Sequence, residues 1–389
     1  MKLLHVLPTL NPQMGGPVEG SRQLALANRR DGIDSEFATC DDPQAPWLKD
    51  TEFKNHGLGP SYLNYKFNPG LANWIKANAS RYDGIIANGI WQYHSYAVYL
   101  GTRGSNVPYV AFPHGMLDPW FNKEYPLKAI KKKIYWRLFE HAVLSNALSV
   151  IFTCEEERRL ARNSFSPYRI RESVIGYGIT DPQIDREECR KAFWDRFPTL
   201  KGKRIILFVG RINAKKGCDL LLGGFKKFRE MLGTKDCNYH LVFAGPPESS
   251  YMNSLKRMES ELRLQDHVTW AGMLMGELKW GAFLCADAFC LPSHQENFGI
   301  VVAEALSVGC PTLISDKVNI HHEITRDDGG FVETDSVEGT LNLLRKWNGL
   351  SFEAKEKFRI SARACFIKNF LVTEVARKLR DVINQSKGK

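Results

Sequence analysis

The stretch from Leu291 to Pro311, LPSHQENFGIVVAEALSVGCP, decides the fold of the second half of this 389-residue chain. A short apolar run ends at Leu291, turn-forming residues follow, and Phe298 to Val308 is almost entirely apolar up to Gly309. This order predicts a strand, a loop and a buried helix that stops at a glycine.

Glu304 is the only charged residue in that apolar segment, and burying an unpaired carboxylate costs several kcal/mol, on the order given for such groups. We therefore expect Glu304 to bind a polar group. The start of the helix offers backbone N–H groups that suit a phosphate, and Gly299 would let an anion approach closely. The alternative is that Glu304 borders solvent and Glu296 is an ordinary loop acid.

Length and composition narrow the class of protein. The chain is long enough for two domains, and its net charge of +10 is shared evenly between its halves, which does not favour a nucleic-acid partner. Apolar runs are too short for a transmembrane helix, and Pro8 interrupts any secretory signal, so we expect a cytoplasmic protein. Nine scattered cysteines predict reduced thiols and no metal site.

The first half alternates strands and helices from Lys2 to Ile175, which predicts a parallel sheet with ligands beyond the carboxyl ends of its strands. Its first strand, Lys2 to Leu7, runs into a loop containing Gly15 and Gly16, and a helix follows at Val18 to Arg30. That loop is predicted either to cradle a phosphate or simply to form a tight turn.

Two further loops follow predicted strands of the first half. The loop from Asn88 to His94 combines aromatic and polar residues and suits either a sugar or acceptor contact or an ordinary surface. His114 stands between Pro113 and Gly115 directly after a strand, a position that favours a functional role over a structural one.

A predicted helix from Glu124 to Leu144 carries most of a local cluster of bases. Leu127, Ile130, Ile134 and Leu138 recur at helical spacing, and lysines and Arg137 flank them. Its apolar face is expected to pack in the core beneath a solvated basic face. The other hypothesis is that the helix binds an anionic membrane surface close to a lipid-linked acceptor.

In the second half, polar residues 177–203 read as a linker, and the strand RIILFVG starts at Arg204. Arg211 and Lys216 follow that strand, and two cations at a strand's carboxyl end indicate an anion clamp rather than an unrelated pair of surface bases. The last helix, Thr373 to Asn384, is expected to return to the first domain.

These residues resemble the retaining glycosyltransferases of the GT-B fold, in their family four group. Four ordered runs carry the resemblance: GRINAKKG from Gly210, AGMLMGE from Ala271, ADAFCLPS from Ala286 and ENFGIVVAEAL from Glu296. The resemblance implies an α/β fold of two Rossmann-like domains facing each other across a cleft. Residues 1–178, joined by a C-terminal helix at 370–389, would form the acceptor side, and residues 179–369 would bind the donor.

The resemblance also implies a role for each site residue. Arg211 and Lys216 would hold the donor diphosphate, Glu304 the ribose and Glu296 a hydroxyl of the sugar. The catalytic set it implies is His114, Arg211, Lys216 and Glu296. The remaining residues it implies for substrate binding are Gly15, Gly16, Gly210, Met273, Asn297, Phe298, Gly299, Ile300 and Glu304. Tyr177 stands where the family commonly has Asn, which bears on the hinge rather than the chemistry.

The expected reaction is transfer of a hexose from a nucleotide sugar, UDP-glucose or a related UDP-hexose, to a hydroxyl on a sugar or lipid-linked sugar. It would proceed with retention and without a cofactor or metal, in cell-surface polysaccharide synthesis, with the enzyme either free in the cytoplasm or peripheral on the inner membrane face. The alternatives are a same-fold epimerase or phosphorylase, a dinucleotide-dependent oxidoreductase, and a non-catalytic sugar-nucleotide binding protein.

Overall fold

The chain divides into two compact units in the computed structural model, which describes residues 1–14, 16–49, 52–120, 122, 126–233 and 238–385. Unit 1 is formed by residues 1–180 and 371–389, and unit 2 by residues 181–370. None of the helices in the described ranges has the length and apolar character needed to cross a bilayer.

Unit 1 is built on a parallel sheet that has seven strands within the described residues, in the order β3-β2-β1-β4-β5-β6-β7. The strands are β1 Lys2–Leu7, β2 Asp34–Thr39, β3 Lys54–Gly57, β4 Gly84–Asn88, β5 Tyr109–Phe112, β6 Ser149–Phe152 and β7 Glu172–Val174. Leu3 of β1 pairs with Ser35 on one side and Gly84 on the other. The strand order therefore reverses between β1 and β4, which is where doubly wound sheets bind ligands.

Helices cover both faces of this sheet. The helices of unit 1 are α1 Gly16–Arg30, α2 Pro69–Asn78, α3 Tyr93–Thr102, α4 Pro126–Tyr135, α5 His141–Asn146, α6 Glu155–Ala161 and, after unit 2, α15 Val372–Asn384. A π-helical turn at Trp136–Glu140 joins α4 to α5. Val375, Leu379 and Ile383 of α15 pack with Leu3 and Leu24 in one apolar cluster, which places the C-terminal helix on unit 1.

Unit 2 repeats the same plan, with six parallel strands in its described part, ordered β10-β9-β8-β11-β12-β13. Its strands are β8 Arg204–Val209, β9 Tyr239–Ala244, β10 Val268–Gly272, β11 Ala288–Leu291, β12 Thr312–Ser315 and β13 Gly330–Glu333. Its helices are α7 Arg186–Arg196, α8 Cys218–Leu232, α9 Ser249–Glu261, α10 Gly276–Cys285, α11 Ile300–Ser307, α12 His321–Arg326, α13 Val337–Asn348 and α14 Phe352–Asn369. Here the order reverses between β8 and β11.

The linker prediction for residues 177–203 is confirmed only at its start, since the chain passes from unit 1 to unit 2 after Thr180 and the remaining residues belong to unit 2. Asp185 caps α7 by accepting the N–H groups of Glu187 and Glu188, and α7 packs on α10 so closely that a Cβ on Gly281 would lie 2.1 Å from the carbonyl oxygen of Cys189. The helix buries few apolar residues of its own, which is why its sequence reads as a linker.

The prediction that the apolar face of the basic helix packs in the core is also wrong. Leu127, Ile130, Ile134 and Leu138 are all exposed, while Ala129 and Trp136 on the opposite side are buried. The described helix runs from Pro126, because Lys123, Glu124 and Tyr125 lie outside the described residues. Helical periodicity identified the apolar stripe but could not tell which side of the helix meets the protein.

Candidate functional site

The carboxyl ends of β8 and β11 flank the reversal point of unit 2. The loop after β8 carries Arg211 and Lys216, and the loop after β11 carries Glu296 and the residues up to Gly299. Because β8 and β11 are neighbours, paired at Ile206 with Ala288, their following loops meet at one edge of the sheet.

Backbone contacts hold these two loops together. The Ser293 hydroxyl and the His294 N–H both donate to the carbonyl oxygen of Lys215 at 2.9 Å. Gly217 has a φ of 65°, and a Cβ there would lie 2.1 Å from the Pro292 carbonyl oxygen, so both its conformation and its surroundings require glycine. Lys216 is thereby brought to the loop that follows β11.

Lys216 forms an ion pair with Glu296 in which the ammonium donates to Oε2. Burial, together with the nearby Lys215 and Arg211, lowers the pKa of Lys216 to about 8. The Glu296 carboxylate favours the charged form and opposes that shift. The pair therefore holds a partly desolvated cation in a fixed position, which is the property a diphosphate site needs.

Arg211 lies at the mouth of the same loop and is exposed. Gly210, directly before it, donates its N–H to Ala244 at 2.9 Å and so continues the β8–β9 ladder. Asn213 lies between the two cations in the sequence, and its side-chain oxygen is buried and has no hydrogen-bond partner among the described residues. A donor group supplied by a ligand would satisfy it.

The run from Glu296 to Ile300 is fixed to the next loop along the sheet. The Glu296 N–H donates to Lys317 O at 2.9 Å, and the Asn319 N–H donates to Glu296 O at 3.0 Å. Phe298 is buried and packs edge-on against Phe370, with ring centroids 5.5 Å apart.

Helix α11 then begins at Ile300 after Gly299, whose φ of 73° is left-handed. This start has no side-chain cap. The unpaired N–H groups of a first helical turn suit an anion.

Glu304 lies one turn further along α11, on the same partly exposed face as Ile300. It does have a partner within the chain, because Lys279 of α10 donates to its Oε1 at 2.9 Å, and 19% of its side chain is exposed. The expectation that Glu304 binds a polar group is thus confirmed, with Lys279 as its partner within the chain. Lys279 was missed from sequence, since only the packing of α10 beside α11 brings it there.

Met273 follows β10 in a loop and is 64% exposed. It lies at the same carboxyl edge of the sheet, since the N–H of Gly245 after β9 donates to Gly272 at 2.7 Å. Met273 has no polar contribution to make, and an apolar wall is the role its side chain suits.

In unit 1 the Gly16 segment is held by Tyr177. The Tyr177 hydroxyl donates to Gly16 O at 2.5 Å, and its ring lies over Gly20, where a Cβ would come within 1.7 Å of the hydroxyl. Burial raises the pKa of Tyr177, so the hydroxyl stays protonated as a donor. Tyr177, the departure from the family pattern, therefore positions the start of α1. Gly15, the other predicted glycine, lies outside the described residues.

His114 follows β5 with a φ of 50°, a strained backbone for a residue other than glycine. Its ring stacks on Phe112, and its Nε2 lies 3.4 Å from Asn88 Oδ1 at the end of β4. Burial, with the neighbouring His94, lowers the pKa of His114 to about 4, so the imidazole is neutral near pH 7. The neutral ring can donate and accept hydrogen bonds, but it carries no positive charge at that pH.

The loop from Asn88 to His94 is ordered by buried polar contacts. Trp91 has a φ of 73°. Its indole N–H donates to Met116 O at 3.1 Å, and its backbone N–H donates to Glu140 Oε2 at 3.2 Å. His94 Nε2 lies 2.9 Å from Asn88 O. Trp91 is therefore half-buried and held by hydrogen bonds, as an ordinary surface loop would have it, and a sugar or acceptor contact of this loop stays a prediction.

No group of three or more His, Cys, Asp or Glu side chains is arranged to hold a metal ion in the part of the chain that the structure describes.

Two family models match the chain. The model described as glycosyl transferases group 1 matches residues 191–364, within unit 2, and the glycosyl transferase 4-like domain matches residues 15–178, within unit 1. Each unit is thus matched over most of its length.

Among curated relatives, mannosylfructose-phosphate synthase of Agrobacterium fabrum is 32% identical over 116 residues, 29% of this chain and 25% of that protein. D-inositol 3-phosphate glycosyltransferase of Mycolicibacterium smegmatis is 28% identical over 177 residues, 45% of this chain and 39% of that protein. The chain therefore matches well under half the length of these two relatives.

A longer match is GDP-mannose:cellobiosyl-diphosphopolyprenol alpha-mannosyltransferase of Xanthomonas campestris, which is 26% identical over 326 residues, 81% of this chain and 79% of that protein.

Two solved structures share the fold over nearly the whole chain. HepE of Anabaena in complex with UDP superposes with a TM-score of 0.78 at 15% identity, covering 99% of this chain and 100% of that one. A glycosyltransferase from Rickettsia africae gives a TM-score of 0.76 at 17% identity, covering 99% and 98%.

Proposed function

The chain belongs to the group 1 glycosyltransferases and has their GT-B fold of two Rossmann-like domains, and on that premise we propose that it transfers a hexose from a nucleotide sugar to a hydroxyl acceptor. One observation carries the proposal. In unit 2, the Lys216–Glu296 pair, Arg211 and the uncapped start of α11 share one edge of the sheet, with the Glu304–Lys279 pair a turn away.

Each group of this site has a chemical role in the proposal. Arg211, Lys216 and the first N–H groups of α11 bind the diphosphate of the donor and stabilise its charge as it leaves. Glu304 accepts hydrogen bonds from ribose hydroxyls with the oxygen that Lys279 does not occupy. Glu296 pairs with Lys216 and also accepts a hydrogen bond from a hydroxyl of the donor sugar.

The reaction exchanges two bonds at the anomeric carbon. The bond from that carbon to the diphosphate oxygen breaks, and a bond to the acceptor oxygen forms on the same face, so configuration is retained. The acceptor's hydroxyl proton passes to the departing phosphate. No protein nucleophile takes part, and the two cations carry the charge stabilisation that a metal supplies in other transferases.

The donor in this proposal is UDP-glucose or a related UDP-hexose. HepE of Anabaena has been crystallised with UDP and with UDP-glucose, which supports a uridine donor. The Xanthomonas relative is named for GDP-mannose and a diphosphopolyprenol-linked acceptor, and an alpha-monoglucosyldiacylglycerol synthase of Streptococcus pneumoniae is also similar, at 27% identity over 175 residues. These names support a sugar or lipid-linked acceptor, and we propose surface polysaccharide synthesis as the process that uses it.

Calorimetric titration with UDP and GDP, in EDTA and without added metal, tests the donor site. We expect UDP to bind with a dissociation constant between about 1 µM and about 1 mM, the ordinary span of substrate affinities. Arg211→Ala and Glu304→Gln should each weaken binding about tenfold or more, because each removes a charge-assisted hydrogen bond.

Lys227→Ala is the matched control, since Lys227 is an exposed base of the same unit that pairs with Glu338. Equal UDP affinity in all four proteins would refute the site. Turnover of UDP-hexose, as transfer or slow hydrolysis, then separates an enzyme from a non-catalytic binding protein, and tighter binding of GDP than of UDP would overturn the donor assignment. Reduced turnover in His114→Asn with unchanged UDP affinity would support a role for His114 in the reaction rather than in nucleotide binding.

A further inference from the structure

The outer face of α4 and the π-helical turn after it exposes a row of large apolar side chains. Leu127 is 80% exposed, Ile130 57%, Ile134 58% and Leu138 63%. Their spacing places them one above the next along the helix. Single exposed apolar residues are ordinary on a protein surface, but a contiguous row marks an interaction site.

The inner face of the same helix is firmly attached to unit 1, so the exposed row is not a misplaced core face. Trp136 is fully buried and donates its indole N–H to Pro167 O at 2.8 Å. Tyr135 and Tyr65 share a hydrogen bond of 2.5 Å between their hydroxyls. The core contacts of this helix are therefore already made by its other side.

Basic side chains border the apolar row on both sides. Lys131 lies on one flank, and Lys133 and Arg137 on the other, and all three are exposed. The described sequence from Pro126 to Phe139 contains no acidic residue, and Glu140 after it is buried. The surface therefore combines an apolar centre with an uncompensated positive rim.

A cavity of about 530 Å³ opens beside this rim. Lys133 and Arg137 line one side of it, and Arg162 with Ser164 to Ser166 line the other. Arg162 is engaged by Glu172 at 3.1 Å, which leaves Lys133 and Arg137 as the bases facing an incoming anion. A phosphate-bearing headgroup is the kind of group that such a basic recess suits.

A second exposed apolar segment adjoins the helix. Tyr62, Leu63 and Phe67 are exposed in the loop that Tyr65 attaches to Tyr135. Of the exposed large apolar residues in the described part of unit 1, all except Met14 lie in this loop or on the helix. The apolar surface of unit 1 is thus concentrated in one region.

We propose that this basic-apolar face, formed by Leu127, Ile130, Ile134, Leu138, Lys131, Lys133 and Arg137, docks unit 1 on an anionic lipid bilayer. The apolar row inserts at the boundary between headgroups and acyl chains, and the bases meet lipid phosphates at the level of the headgroups. Charge complementarity selects this occupant, because the described part of the helix has an apolar centre bordered only by bases, and such a face matches an anionic bilayer. The inference goes beyond the proposed function and does not depend on it.

Sedimentation with vesicles tests the proposal on the full chain. Wild type is expected to pellet with vesicles of equal parts phosphatidylglycerol and phosphatidylcholine, and to stay largely in solution with phosphatidylcholine alone. Ile130→Ser with Ile134→Ser should lower partitioning about tenfold or more, since both side chains lose their insertion into the bilayer. Neutralising Lys131, Lys133 and Arg137 to Ser should cost about fivefold for each base and weaken the dependence on salt.

The matched control is Phe352→Ser with Ile360→Ser, which removes two apolar residues of α14 in unit 2 that are even more exposed than Ile130 and Ile134. The control should partition as wild type does, and every variant should keep its UDP affinity, so that a failure of docking is distinguishable from a failure of the donor site. Wild type remaining in solution with anionic vesicles would overturn the proposal. So would unchanged partitioning of the Ile130 and Ile134 variant, or self-association in sedimentation velocity that the same variant abolishes without any vesicle binding.

Discussion

The pH dependence of donor use should follow the charge of Lys216. Burial, reinforced by Lys215 and Arg211, lowers the pKa of Lys216 to about 8 from the ordinary lysine value. The Lys216 ammonium, which we propose binds the diphosphate, is therefore present below pH 8 and is lost as the pH rises through that value. We expect kcat/KM for the nucleotide sugar to be level near pH 7 and to show a descending limb near pH 8, above which it falls about tenfold per pH unit.

The bound complex should show the same limb at higher pH. A diphosphate beside Lys216 favours the charged form, so the limb in kcat should lie above the limb in kcat/KM, which reports the free enzyme. Initial-rate assays with UDP-glucose across the neutral and alkaline range give both profiles, and a UDP-release readout serves for either transfer or hydrolysis.

Two variants assign the limb to this side chain. Lys216→Arg keeps the positive charge, because the pKa of arginine is above about 12, so its profile of kcat/KM against pH should stay flat where that of wild type declines. The larger guanidinium should nevertheless reduce the rate at neutral pH. Lys216→Met should lose about 10² to 10³ in rate, the usual cost of one preorganised charge-stabilising group. Both must retain the wild-type circular dichroism and melting profile. A limb near pH 8 that persists unchanged in a folded Lys216→Arg protein would falsify the assignment.

Three further predictions concern one residue of the donor site and two residues of unit 1. Lys279→Met should weaken UDP binding about three- to tenfold by calorimetry, because Glu304 loses the partner that orients it, and an unchanged affinity would show that the pair is only structural. Tyr177→Phe removes the hydrogen bond to Gly16 and should cost about 1 kcal/mol, seen by scanning calorimetry as a melting temperature about 2–4 °C lower; no shift would mean that ring packing alone holds α1. Neither ring nitrogen of the buried His5 has a hydrogen bond in the described structure, and burial lowers the pKa of His5 to about 3. The histidine of the unfolded chain keeps the ordinary pKa of about 6.5, so the unfolded chain takes up the proton first, and the free energy of unfolding falls as the pH drops from about 6.5 toward 3. His5→Leu should therefore raise the melting temperature, and more at pH 5 than at pH 7; an equal gain at both would contradict this origin.

The periodicity of the sequence was sufficient for most of the elements. Lys2–Leu7 was predicted to the residue, and the strand, loop and helix order around Leu291 to Pro311 is confirmed, with α11 starting at Ile300 instead of Phe298. Buried parallel strands are nearly continuous apolar runs, so they are visible locally. Lys54–Gly57 was missed because it is a short polar strand at the edge of its sheet, where neither face needs an apolar pattern.

The candidate site divides in the same way. The residue types and their spacing were enough to select four residues as candidates for the site, because charged residues near glycines at strand ends are visible in the local sequence. These residues are Arg211, Lys216, Glu296 and Glu304. Which of them pair was not local. The Lys216–Glu296 contact depends on the packing of Gly217 against Pro292, and the Glu304–Lys279 pair depends on α10 lying beside α11.

The sequence by itself determined a doubly wound fold, a cation-rich loop after β8 and a carboxylate-bearing helix after β11, since these follow from hydrophobic period and from residue chemistry. Only the tertiary structure decided that residues 186–196 form a helix of unit 2 and that the apolar stripe of α4 faces solvent. An amphipathic pattern predicts that one side of a helix avoids water, but it does not say what covers that side. Only the position of the helix on unit 1 shows that the core of unit 1 does not cover it.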